Sequence, residues 1–261
     1  MGDAMTHDTL FLVTTNDRKL VGKAFEHSGL RVEDLSAPAA GSFGAAVFAS
    51  SAEVLFNRRP VEAGQRLDTL LDEQLRTHRV LAVSDATPGR PFVPHLTLPF
   101  RYKGWVFAAV GDTPPEEQPI LSEREADFVT RNGGADSPTH RLMARIMFRV
   151  QRGSPATGDP EPRAIAQAIR EAAELPGYER FTIAVTSEQA GVVVSQGRDV
   201  FYRTVTPRAR GLFGHDEDLA AIDHLRATVV IDGVPMPRGD WNRVPDGQAL
   251  LVPGVPPARL I

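Results

Sequence analysis

The side chains whose types and grouping suit chemistry are few. His215-Asp216-Glu217-Asp218, with Asp223-His224 nearby, contains metal-ligand types, but it lacks zinc-like spacing and sits among glycines, so it reads as a solvated acidic loop. Arg208-Ala209-Arg210-Gly211 combines two guanidinium groups with a flexible glycine, which suits an anion, but two exposed arginines usually just stay in water. His95, in Pro94-His95-Leu96, reads as a loop residue. The chain has no cysteine, so it offers no thiol nucleophile, no disulfide and no thiolate metal site. Gly41-Ser42-Phe43-Gly44 leads into a strand-like run rather than a helix, which removes the context a phosphate-binding loop needs. No metal and no cofactor is expected.

The bulk properties narrow the field further. The chain has 261 residues, of which 42% are hydrophobic and 24% charged, enough for one large domain or two small ones. A formal net charge of -4 gives no electrostatic reason to bind nucleic acid or an anionic membrane. No stretch approaches the roughly 20 apolar residues that cross a bilayer. The polar start of the chain lacks the apolar core of a secretory signal, so the expected location is cytoplasmic.

The elements that would position a site follow from periodicity. Thr9 to Thr15 reads as a buried strand ended by Asn16-Asp17, and Leu20, Val21, Ala24 and Phe25 recur at helical spacing. Ser42 to Ser50 and Glu53 to Arg58 read as a hairpin, and Leu67, Leu70, Leu71 and Leu75 mark a helix face. Val80 to Ser84, Thr97 to Arg101 and Trp105 to Val110 are short strands, the first two divided by the proline-rich run Pro88 to Pro94. Ser122, with Glu125 three residues on, has capping-box spacing, and Leu142, Met143, Ile146 and Met147 continue an apolar helix face after Ser137. Gly153 to Pro162 is linker-like, and Ile165 to Ala173 forms a further amphipathic helix stopped by Pro176-Gly177. Strands return at Phe181 to Thr186, Gly191 to Gln196, Val200 to Val205, Thr228 to Ile231 and Ala249 to Val252. This order predicts an α/β sandwich rather than a parallel doubly wound sheet.

Several motifs in this order resemble the class II glutamine amidotransferase domain. They are Val80-Leu81-Ala82-Val83-Ser84-Asp85-Ala86-Thr87-Pro88-Gly89, then Leu98-Pro99-Phe100, then Gly104-Trp105-Val106-Phe107-Ala108-Ala109-Val110-Gly111. Asp136-Ser137 before a helix, the strand Phe181 to Thr186, and the closing Pro245-Asp246-Gly247-Gln248-Ala249-Leu250-Leu251-Val252 extend the likeness over nearly the whole chain. Each motif alone is weak, and their shared order carries the resemblance. It is closest to the small stand-alone bacterial members. It implies one domain over residues 1-261 with the α+β, four-layer αββα sandwich of the N-terminal nucleophile hydrolase type.

The resemblance also implies a chemistry, and most of its parts are replaced. Members use an N-terminal cysteine whose own α-amino group acts as base, with asparagine and glycine steadying the oxyanion. Alignment on Leu10-Phe11 puts Asp8 at the nucleophile position, away from the chain start. Ser84 stands where an arginine would grip the substrate carboxylate, Val110 where the asparagine would donate, Ala109 for a histidine, and Leu98 for the histidine before Pro99-Phe100. Gly111, Asp136 and the Ala86-Thr87-Pro88-Gly89 turn survive. In the family the aspartate matching Asp136 binds the substrate's α-amino group, while Asp136-Ser137 also reads as ordinary helix capping, the reading favoured here. An internal start at Met5 would expose Thr6 as an N-terminal nucleophile, but two residues short of the aligned position.

Loss of nucleophile, base, oxyanion donor and clamp together predicts a catalytically inactive binding, regulatory or scaffold protein. Its vestigial pocket would be lined by Ser84, Asp85, Thr87, Val110, Gly111 and Asp136 and would suit a small amino-acid-like ligand or a partner's peptide. A protein partner or self-association is expected. The alternative is an amidohydrolase or amidotransferase with repurposed chemistry, in which Asp8, Asp85 or Asp112 acts as general acid or base.

Overall fold

The computed structural model describes residues 8–17, 21–30, 36–37, 40–50, 53–67, 77–85, 92–119, 122–132, 137–153, 160–206, 225–254 and 256–261. Two antiparallel sheets face each other. The first comprises β1 (Thr9–Thr15), β2 (Gly41–Ser50), β3 (Glu53–Val61), β4 (Arg79–Asp85), β9 (Val200–Val205), β10 (Ala227–Asp232) and β11 (Asn242–Val244), in the spatial order β11-β9-β10-β1-β4-β2-β3. The second comprises β5 (Phe100–Tyr102), β6 (Trp105–Gly111), β7 (Phe181–Thr186), β8 (Ala190–Gln196), β12 (Ala249–Pro253) and β13 (Arg259–Leu260), in the order β13-β12-β8-β7-β6-β5.

Side-chain alternation sorts these strands into layers. Leu10 and Leu12 of β1, Leu81 and Val83 of β4, Val106, Ala108 and Val110 of β6 and Ala184 of β7 fill the space between the sheets. Phe11, Val13, Val80, Ala82 and Phe43 point the other way, against Val21, Ala24 and Phe25 of helix α1 (Val21–Ser28). The outer face of the second sheet, with Phe107, Ile183 and Val185, packs on α3 (Pro138–Gly153) and α4 (Pro162–Ala173). The result is helix, sheet, sheet, helix: the α+β sandwich anticipated from the order of elements. Strands buried on both faces read as continuous apolar runs, which is why β1 and β4 show little polar alternation.

Local chemistry sets the element ends. Gly29, at φ +80°, closes α1 in the left-handed conformation that glycine takes without strain. Ser122 Oγ accepts the Glu125 N–H at 3.2 Å and starts α2 (Glu123–Asn132). The Glu125 carboxylate is buried against Arg145 of α3, with Arg145 Nε donating to Glu125 Oε1 at 3.2 Å. Ser137 Oγ accepts the His140 N–H at 3.4 Å and caps α3. The strand expected over Thr97 to Arg101 is shorter, because Pro94–Leu96 forms a 3-10 turn and pairing with β6 begins only at Phe100. The expected helix around Leu70 to Leu75 and most of the Gly153 to Pro162 linker lie outside the described residues. Among the described residues no helix is long and apolar enough to cross a membrane.

At the far end of the sandwich from Asp8, the wholly buried Arg79 of β4 joins the sheets. Its Nη1 donates to Thr186 Oγ1 at 2.9 Å and to Ser187 O at 2.7 Å, and its Nη2 donates to Val252 O at 2.9 Å. Burial pulls the guanidinium down to about 9, with Glu188 pulling it back up.

Candidate functional site

Strand register brings most of the anticipated site residues to one end of the sandwich, but not to one face. Thr9 pairs with Ser84, Leu10 with Asp232, Val110 with Thr182 and Gly111 with Phe181. Asp8 is buried, 7% exposed, and precedes β1 in step with Leu10 and Leu12, whose side chains lie between the sheets. Val110 belongs to that same apolar layer. Ser84 does not: its neighbours across the ladder are Thr9 and Phe43, and Phe43 packs in the helix-facing core with Val80 and Ala82. Directly paired residues share a face, so Ser84 is turned away from Val110, with its buried Oγ lacking a hydrogen-bond partner.

A buried ion pair lies beside Asp8 and Gly111. Arg198, from the turn between β8 and β9, donates through Nε to Asp232 Oδ2 at 2.7 Å and through Nη2 to the Asp8 carbonyl at 3.2 Å. The two side chains of the pair are 8% and 2% exposed. Thr182 and the Gly233 amide also hydrogen-bond Asp232. Burial pushes the Asp232 carboxyl up, and Arg198, Thr182 and Gly233 pull it back. Thr182 Oγ1 lies 3.1 Å from Ser195 Oγ, and Ser195 Oγ donates to the Arg198 carbonyl at 3.2 Å, which anchors the turn that carries the arginine.

Gly111 is explained by packing. It has φ +108°, and a Cβ there would run into the Arg180 carbonyl and lie 3.0 Å from Arg198 Cδ. Gly233 is under the same constraint against the Asp8 carbonyl. Asp112, next to Gly111, is engaged by the backbone: its Oδ2 accepts the Glu179 N–H at 3.2 Å and the Arg180 N–H at 2.8 Å.

Asp85 ends β4, one residue beyond the Ser84 that pairs with Thr9. It lines a cavity of about 20 Å3 together with Ser42, Val83, Phe100, the 96–98 segment and Thr139. Such a volume holds about one water molecule. Thr139 is in the first turn of α3, so the capped start of that helix closes the cavity. Beside it His140 stacks on Phe100, with ring centroids 3.4 Å apart, and Arg58 Nη2 donates to Pro99 O at 2.5 Å. Burial, then the charges of Arg58 and His95, push His140 down to about 4, which leaves it neutral at physiological pH.

Thr87 and Asp136 of the anticipated pocket, Thr6, and the segments carrying Arg208, Arg210, His215 to Asp218 and His224 lie outside the described residues. Sequence reasoning missed Arg198 and Asp232. Only a lone aspartate ending an otherwise apolar strand, Ala227 to Asp232, hinted at a buried charge in need of a partner.

No family model matches the sequence, and no curated protein matches it. Solved structures do match. A glutamine aminotransferase class-II domain protein from Silicibacter pomeroyi aligns over 97% of this chain and 98% of its own, at TM-score 0.52 and 16% identity. A predicted glutamine amidotransferase from Pseudomonas aeruginosa aligns over 96% of this chain and 94% of its own, at TM-score 0.51 and 15% identity. The glutamine phosphoribosylpyrophosphate amidotransferase of B. subtilis aligns at TM-score 0.53 and 12% identity, and there this chain spans only 48% of the other protein's length. The chain therefore shares the fold of these glutamine amidotransferase domains, two facing antiparallel sheets between helical layers. At these identities the likeness speaks for the fold and leaves the activity to the residues of the site.

Proposed function

We propose that this chain is a class II glutamine amidotransferase-like protein that does not hydrolyse amides and acts by binding, as a cytoplasmic regulatory or scaffold protein of one domain. The observation that supports the reading is the Arg198–Asp232 pair, which is buried and holds the Asp8 carbonyl through Arg198. Asp8 has no adjacent α-amino base, and Val110 offers no side-chain donor. A single missing oxyanion donor costs about 3 kcal/mol of barrier in comparable acyl-transfer sites. Joint loss with the base and the nucleophile removes the main sources of rate together. Native mass spectrometry of the tagged protein isolated from its own cells tests the binding role. A stoichiometric protein partner or a defined homo-oligomer is expected, and a bare monomer at every concentration would count against it.

A second reading, repurposed acid-base chemistry, draws on Asp85, because that carboxylate shares a cavity with Ser42 and Thr139. A cavity of that size admits no substrate without movement of the 96–98 segment. Screening amide and ester substrates against wild type and Asp85→Asn separates the readings, since turnover lost in the variant would favour catalysis.

A further inference from the structure

The first sheet ends in an open strand. β3 is nine residues long and pairs with β2 alone, so one side of its backbone meets no strand among the described residues. The second sheet ends in the much shorter β5 and β13, of three and two residues. A long open edge templates pairing with another chain, and proteins normally shorten, interrupt or cover it. Pro60 shows which residues of β3 face outward. It stands opposite Ser42 and has no N–H to give β2, so its place in the ladder is a non-hydrogen-bonded one. Alternation then turns the backbone N–H and C=O groups of Val54, Phe56 and Arg58 away from β2. None of these groups has a partner on that side among the described residues.

The side chains along the edge carry a second, independent signal. Leu55 is 51% exposed, and Phe56 is half-buried, with the Arg58 guanidinium 4.8 Å above its ring. Glu53 begins the strand and Arg59 nearly ends it, on the same face as Leu55 and Asn57. We infer that β3 is the interface of a homodimer, in which two copies of the strand pair antiparallel about a two-fold axis at Phe56. That register sets Phe56 against the partner's Phe56 and Val54 against the partner's Arg58, so every outward N–H finds a carbonyl. On the other face Glu53 lies opposite the partner's Arg59, and Leu55 meets the partner's Leu55 on the diagonal, about 7 Å away. Moving the axis to Leu55 or to Asn57 loses both Glu53–Arg59 matches. An open edge accepts any extended peptide; an acid at one end and a base at the other make this one self-complementary under a two-fold axis, which selects a second copy. The inference rests on the binding role proposed above and names the partner.

Sedimentation velocity on the full-length protein over a wide concentration range at low salt tests it, together with hydrogen exchange. Wild type is expected to dimerise reversibly, with exchange over residues 53–61 slowed in the dimer. Glu53→Arg and Arg59→Glu each set like charges opposite one another at two places, which should weaken the dimer by about ten-fold. Mixing the two single variants should give a heterodimer of wild-type strength, and Glu53→Arg combined with Arg59→Glu should restore the homodimer. A dimer indifferent to both single variants, or one that protects other segments and not 53–61, would overturn the edge pairing and leave the binding role standing. A monomer at every concentration would overturn it as well, and a stoichiometric foreign partner carried by that monomer would again spare the binding role.

Discussion

Replacing Arg198 with methionine keeps most of its aliphatic volume and removes its charge. The Asp232 carboxylate, 2% exposed, would then keep only Thr182 and the Gly233 amide as partners. Breaking a buried pair from one side costs about 3–5 kcal/mol, because the remaining charge stays desolvated and uncompensated. For a chain of this size that corresponds to a drop in melting temperature on the order of 10 °C. The pH dependence has a definite sign. Burial already pushes the Asp232 carboxyl above its ordinary value, and losing Arg198 pushes it further. A carboxyl raised in the folded state favours the fold when protonated, and that advantage is lost as pH rises through the folded pKa. The deficit of Arg198→Met should therefore shrink on acidification, and Arg198→Met combined with Asp232→Leu should recover most of the loss at neutral pH. Urea denaturation followed by circular dichroism from pH 4 to pH 8, with wild type, both single variants and the double variant, provides the cycle. A cost below about 1 kcal/mol for Arg198→Met, the range of exposed pairs, or a deficit that grows on acidification, would refute the assignment of this pair as a buried ion pair.

Other outcomes follow from the same packing. Arg79→Lys should destabilise by about 2–4 kcal/mol in urea titrations, since an ammonium cannot reproduce the fork that reaches Thr186, Ser187 and Val252. Gly111→Ala should cost at least about 2 kcal/mol, because its positive φ and the Arg180 carbonyl both oppose a side chain; a melting temperature equal to wild type would contradict this. His140, held down to about 4, takes up its proton more readily when the chain unfolds. Stability should accordingly fall as pH drops from 6.5 toward 4, and His140→Phe should flatten that part of the profile of urea midpoints.

Most of the sandwich was legible in the sequence, for a physical reason. β1, the β2–β3 hairpin, β4 and the strands from β6 to β10 are runs of apolar and β-branched residues, bounded by turn residues. Very short β11 and β13 carry too few residues to produce a pattern. Faces were harder to read than elements: β4, as Arg-Val-Leu-Ala-Val-Ser-Asp, is buried on both sides, so nothing in its composition tells which side Ser84 takes. Alternation counted from its neighbours, once Val80 and Ala82 are known to face α1, settles it. Glu125 serves two levels of structure at once, because its N–H completes the Ser122 cap that the spacing predicts while its carboxylate pairs with a buried cation on the next helix. Arg198, in Gln196-Gly197-Arg198-Asp199, has the composition of an exposed turn, and only the folding of that turn over the end of β10 makes it a core residue.

The proposed binding role requires that this end of the sandwich does not attack an amide. Glutamate release from L-glutamine by the purified protein, read against Asp8→Asn and Thr6→Ala variants, tests it most directly. All three proteins should give the rate of buffer alone. Sustained turnover by the wild type that disappears in either variant would contradict the claim.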